Sequence, residues 1–231
     1  MPWRWVGVLH EYLDAGQLVE QPRLPGFRIE VSSDGARSAD PHKFEKDAAL
    51  LKAALVDEPD NNRYRFYLAQ SYRDAGQLSL ARENYRQRAQ RGGWEEEVWY
   101  SLYQVACLTQ LLEDSHADIV AAYLQAYQYR PVRAEPLAAL AAYLRGRNEW
   151  HLAYLFATAA AQLPVPQDRL FVELPVYQWR ALDELALAAF YSSRQTQAAQ
   201  LWRELLQNPQ LPKNDRTRIE ANLGFVEIDT D

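Results

Sequence analysis

A single cysteine, Cys107, in 231 residues excludes an internal disulfide and any cysteine-rich zinc site. It stands in Val105-Ala-Cys-Leu108, an apolar setting that predicts a buried structural thiol. No apolar run approaches the roughly 20 residues that a helix needs to cross a bilayer. The opening Met-Pro-Trp-Arg-Trp lacks the apolar core of a signal peptide. Basic residues are not in excess. The 25 Lys and Arg face 31 Asp and Glu, for a net charge of -6, and alternate with acids as solvated helix faces do. That balance argues against a nucleic-acid footprint. A phosphate-cradling glycine loop is absent, because Gly92-Gly93 is followed by no Lys-Ser/Thr pair. No arrangement of Ser, Cys or His suggests nucleophilic catalysis, and the scattered acids single out no acid–base pair. His42, His116 and His151 have no mutual spacing suited to a metal and read as surface or capping residues. What remains is a folded, soluble chain, expected in the cytoplasm. At 48% hydrophobic and 12% aromatic it can bury a substantial core.

The first 43 residues differ in kind from the rest. Trp5-Val-Gly-Val-Leu9 is a strand-type run broken by glycine, and Leu24-Pro-Gly26 marks a turn. Phe27-Arg-Ile-Glu-Val31 alternates with a period of two, as a half-buried strand does, before a second turn at Ser32-Ser-Asp-Gly35. Asp40-Pro41 signals a boundary, with Asp40 as helix cap or turn residue. The expected division is therefore 1–43 and 44–231. Beyond it, Phe44, Ala48, Leu51 and Leu55 mark one helical face, in a helix that stops near Glu58-Pro59. Paired helices follow: 62–75 with 78–90, 95–112 with about 116–129, 135–145 with about 149–162, and 177–192 with 195–206. A polar last helix over about 214–227 is suited to cap the stack.

Small residues recur where antiparallel helices must approach closely. Ala69 and Ala81, Ala141 and Ala153, and Ala186 and Ala198 are each twelve apart, with Ala126 and Ala160 at related positions. Tyr72 and Tyr85 fill the space beside the first pair, and Gly76 supplies the turn. Arg63 to Tyr85 thus resembles one hairpin of a tetratricopeptide repeat. First helices start about 33 to 40 residues apart, against the ~34 of a regular repeat. The expected fold is mainly α, a tetratricopeptide-like helical-hairpin solenoid with a short β-containing N-terminal segment. Its usual work is binding.

Three blocks carry a further resemblance: Trp5-Val-Gly-Val-Leu-His-Glu-Tyr-Leu13, Asp34-Gly-Ala-Arg-Ser-Ala-Asp-Pro-His-Lys-Phe44 and Arg63-Tyr-Arg-Phe-Tyr-Leu-Ala-Gln-Ser-Tyr-Arg-Asp-Ala-Gly76. Gly92-Gly-Trp-Glu-Glu-Glu-Val-Trp-Tyr-Ser101 continues them. Together they resemble the C-terminal part of bacterial family 2 glycosyltransferases that carry tetratricopeptide repeats behind a GT-A domain. The likeness is strongest over 3–105 and architectural beyond 130. It implies that His10 closes the GT-A domain near a metal–diphosphate site, with a divalent metal and a sugar nucleotide as cofactors of an intact parent enzyme. The nucleotide-binding strands and the Asp-x-Asp motif are absent upstream of Met1. Asp229-Thr-Asp231 has the letters of that motif but lies at the C-terminus. This chain by itself is expected to hold no cofactor and no catalytic residue, and whether Met1 is a natural start is left open.

On the first helix of the repeat, Arg63, Gln70, Arg73 and Asp74 fall on the side that lines a groove. The two arginines offer planar forks to a carboxylate or phosphate, or pair with Asp74, Glu83 or a neighbouring helix. Tyr100 and Tyr103, beside Trp99 on the next first helix, either join the groove as stacking faces or lie in the core. Glu95, Glu96 and Glu97 complement the macrodipole at that helix's start. The expected function is a binding module that positions a glycan acceptor, a protein or a peptide for an attached glycosyltransferase. The alternatives are a homodimeric assembly scaffold and a fragment of an active enzyme.

Overall fold

A computed structural model describes residues 3–16, 26 and 40–228. The expected strand at Phe27–Val31, the turn at Ser32–Gly35 and the Asp229–Asp231 triplet lie outside those residues. The chain forms two compact units, Met1–Gly93 and Trp94–Asp231, divided at the Gly92-Gly93 turn.

The first unit opens with an antiparallel pair of strands, β1 (Arg4–Val6) and β2 (Tyr12–Asp14), with Trp5 opposite Leu13. The first strand ends at Val6 because Gly7 turns the chain at φ +115°, where a Cβ would press on the Leu9 carbonyl at 3.3 Å. Leu9 is buried against Ala48, Leu51, Tyr64 and Leu68, which fastens the hairpin to the helices. Asp40 seats the start of α1 (Lys43–Asp57), accepting the His42 N–H at 2.9 Å and the Lys46 ammonium at 2.6 Å. Asn61 caps α2 (Asn62–Asp74) by accepting the Tyr64 N–H at 3.0 Å. Helix α3 (Leu78–Gln90) returns antiparallel. Ala69 and Ala81 are fully buried between them, with Phe66 edge-on to Tyr85 at 6.2 Å.

The second unit holds α4 (Glu95–Leu111), α5 (His116–Tyr129), α6 (Glu135–Gly146) and α7 (Trp150–Ala161). A long connection then leads through a π-helical turn, Val176–Arg180, into α8 (Ala181–Tyr191), α9 (Gln195–Gln207) and α10 (Lys213–Ile228). The twelve-residue alanine pairs at 141/153 and 186/198 are completely buried, as close packing of antiparallel helices requires.

One backbone device repeats at every turn from a first helix to its partner. Gly76, Glu113, Asn148 and Ser193 each take a left-handed φ, between 56° and 74°. The next residue's N–H then bonds the carbonyl five back: Gln77 to Tyr72, Asp114 to Thr109, Glu149 to Leu144 and Arg194 to Ala189, at 2.8–3.2 Å. This is a Schellman closure, which satisfies carbonyls left over at the helix end. No helix among the described residues is long and apolar enough to cross a membrane.

Candidate functional site

In the first unit, the Leu9–His10 turn, the start of α1 and the last turns of α2 enclose a cleft of about 230 Å³. His10, Lys43, Asp47, Gln70, Ser71 and Asp74 supply its polar lining. Three residues singled out from sequence, His10, Gln70 and Asp74, therefore come together. Arg73 stands beside them and donates to Asp74 at 2.9 Å, one of the pairings anticipated for it. Arg63 has another task. Its guanidinium donates to the His10 carbonyl at 2.9 Å and lies 4.8 Å and 4.9 Å from the rings of Tyr12 and Tyr67. It clamps the strand hairpin onto α2. The His10 ring stacks on Tyr67 at 4.0 Å, with its backbone at φ +53°. Among the described residues, no three His, Cys, Asp or Glu side chains are placed to hold a metal ion.

In the second unit, Tyr100 and Tyr103 are buried. Tyr103 stacks on Trp99 at 5.5 Å, and burial pushes its phenol well above the ordinary range. Tyr100 meets Phe171 at 4.5 Å. Arg133, fully buried, lies 3.6 Å over the Trp99 ring and forks onto both oxygens of Glu135. It also reaches Asp168, whose carboxyl is held below its ordinary 3.8, first by the hydrogen bond from Arg130. The three glutamates at the start of α4 do more than complement a dipole. Glu95 accepts from Arg130 at 3.1 Å, Glu96 accepts two backbone N–H groups, and Glu97 is buried. Cys107 is half-buried instead of fully enclosed, with the Tyr123 hydroxyl 4.0 Å from its sulfur.

A second cleft, of about 350 Å³, opens between α6, α8 and α10. Arg145 pairs with Glu184 at 2.6 Å, and Arg218 bridges Asp183 at 2.7 Å and Asp215 at 3.2 Å. Burial raises the Asp183 carboxyl, with Arg218 opposing. The Nδ2 atom of Asn222, in the cleft wall, is buried and has no hydrogen-bond partner among the described residues. The sequence reading missed this cleft. The available signal was charge pairing near the repeat spacing: Arg145 and Glu184 are 39 apart, and Asp183 and Arg218 are 35 apart.

The chain matches no family model and no curated protein. Solved structures share its fold. One crystal structure of MamA superposes with a TM-score of 0.58 at 15% identity, over 79% of this chain and 96% of that one. A second MamA structure gives 0.55 at 16% identity, over 71% and 82%. TTC0263, a thermophilic TPR protein of Thermus thermophilus, gives 0.50 at 15% identity, over 78% and 91%. The fold is therefore tetratricopeptide-like and mainly α, with a short two-stranded sheet before it.

Proposed function

We propose that this chain is a non-catalytic helical-repeat module that holds an extended segment of a protein partner. The observation that carries the reading is the cleft between α6, α8 and α10. Its walls carry arginine–carboxylate pairs, and the Asn222 amide is left with a donor to give. A buried amide without a partner costs free energy that a ligand carbonyl would restore. The paired charges around it supply both donors and acceptors, which suits a peptide backbone and its polar side chains. The cleft of the first unit, with Gln70 and Asp74, offers related chemistry on a smaller scale.

The sequence blocks at Trp5–Leu13 and Arg63–Gly76 support a further step. In this reading the module sits behind the GT-A domain of a family 2 glycosyltransferase and positions an acceptor or partner for it. That domain would supply the divalent metal and sugar nucleotide, with His10 beside them. The native size of the protein in its source cells tests this step, since attachment requires a species much larger than 26.7 kDa.

The binding reading is tested by selecting peptides from a displayed library against the full chain. Asn222→Ala is expected to weaken the selected peptides about tenfold, the worth of one good hydrogen bond, with the melting temperature held. Peptides indifferent to substitution of Asn222, Asp183, Gln70 and Asp74 alike would sink it.

A further inference from the structure

The connection between α7 and the π-helical turn does not follow the repeat. Its residues Asp168–Glu173 run back over the second unit and lie on α4 and the start of α6. The contacts that hold them are those of peptide recognition. Glu96 accepts the N–H groups of Arg169 and Leu170 at 2.7 Å and 2.6 Å. Arg133 donates to the carbonyls of Leu170 at 3.2 Å and Phe171 at 2.9 Å. Glu135 accepts the Glu173 N–H at 3.1 Å. Three side chains of the segment are also engaged. Glu173 lies against Tyr103 and Arg180. Asp168 takes both arms of Arg130, at 2.5 Å and 2.6 Å, and Phe171 rests on Tyr100.

This pattern is unlike helix packing. Arg169 and Phe171 remain exposed, so the segment covers the face without building much core of its own. Pro164, Pro166 and Pro175 flank it and keep it out of either neighbouring helix. Phe171 sits at φ +46°, a strained conformation for a bulky side chain. The receptor side, by contrast, is built in. Arg133 and Glu135 are buried and already paired to each other, so the face keeps its charges matched when the segment leaves.

We propose that the face of α4 and the start of α6 is a receptor for an extended peptide, which this chain fills with its own residues 168–173. The external partner is an extended segment with an acidic residue and an aromatic three positions later, matching Asp168 and Phe171. The hydrogen bonds to the two intervening residues, Arg169 and Leu170, are to backbone, so their side chains are free to vary. This surface is separate from the two clefts described above, and the proposal stands or falls without them. Tethering gives the internal segment an effective concentration on the order of millimolar, so a free peptide competes poorly until the tie is weakened.

The test uses the full chain and a fluorescein-labelled synthetic peptide with the sequence of residues 165–175. The double variant Asp168→Ala, Phe171→Ser weakens the internal segment and leaves Glu96, Arg130, Arg133 and Tyr100 intact. It is expected to bind the peptide at least tenfold more tightly than the unaltered chain, and adding Arg130→Ala removes the gain. A variant of full helicity that binds no better than the unaltered chain overturns the proposal. A second measurement needs no variant. In the unaltered chain, the amides of Arg169, Leu170 and Glu173 are expected to exchange at least a hundredfold faster than the amide of Tyr103 in α4. Equal rates would mean that the segment leaves only when the unit unfolds, and the proposal would be wrong.

Discussion

Helices α2 and α4 occupy the same station in successive repeats, yet they present opposite surfaces. Helix α2 turns Gln70 and Asp74 into an open cleft. Helix α4 turns Tyr100 and Tyr103 inward beneath the chain's own Phe171 and Glu173. Helical spacing placed Gln70 and Asp74 on the side that lines a groove and left Tyr100 and Tyr103 between groove and core. Spacing fixes direction, while exposure depends on what the chain later lays across that direction. For α4 the cover comes from some 70 residues further on.

This contrast can be broken at several points. The largest effect is expected from Arg133→Ala, which leaves Glu135 and Asp168 buried against a missing cation. It should cost about 3–5 kcal/mol in urea unfolding, as loss of one partner of a buried pair does. A cost near zero would mean that water replaces the guanidinium. Next in size is overpacking of the helix contacts that both units share. Ala69→Leu in the first unit and Ala141→Leu in the second should each cost about 1–3 kcal/mol, since neither site has room for a larger side chain.

The turns should respond in opposite directions. Gly76→Ala forces a Cβ into a left-handed turn and should cost about 1 kcal/mol, whereas Ser193→Gly relieves the same strain and should gain up to about 1 kcal/mol. If Ser193→Gly lowers the melting temperature, the fourth turn is held by its side chain and not by its backbone. Arg73→Ala belongs lower still. Its pair with Asp74 is partly exposed, and the loss should stay under about 1 kcal/mol. Arg63→Ala should leave the helical melt nearly unchanged while altering Trp5 fluorescence as the hairpin loosens.

The smallest effect separates two carboxylates inside the second unit. Asp168 has its folded pKa below 3.8, so the stability it contributes is present above 3.8 and lost as pH falls through the lower folded value. Asp183 has its folded pKa above 3.8, so its contribution is full below 3.8 and lost as pH rises through the higher folded value. Urea melts on either side of 3.8 should show Asp168→Asn flattening the acid limb and Asp183→Asn flattening the limb above it. If each variant instead changes the opposite limb, the assignments of burial and pairing are reversed.

Much of the fold was legible because close helix packing leaves few choices of residue. Alanines at a fixed separation marked three of the four hairpins, and their complete burial follows from the approach that they permit. The turns were harder to read. Gly76 announces a left-handed residue and Asn148 does so more weakly, but Glu113 and Ser193 fill the equivalent place with side chains that carry no such mark. Arg63 was legible as a groove-facing fork, yet its partner is a backbone carbonyl 53 residues earlier, which no local pattern records. The cover over Tyr100 and the cleft at Asn222 were hidden for the same reason. Both are made by residues about one repeat or more apart, joined by charge pairs that look like ordinary surface alternation when read along the chain.

The sealed turns carry a consequence for how such a molecule changes over time. Each junction from a first helix to its partner closes its own hydrogen bonds within about six residues, so an inserted residue there would break a ring. The opposite junctions, from a second helix to the next first helix, carry no such ring. They run from four residues between Gln90 and Glu95 to fourteen between Ala161 and Val176. Variation in length is therefore channelled to one set of ends. The junction between Gln207 and Lys213 is tied down by the buried Leu211 and by the Asn208 amide on the Gln178 carbonyl, so added length falls more easily in the longer connection after Ala161.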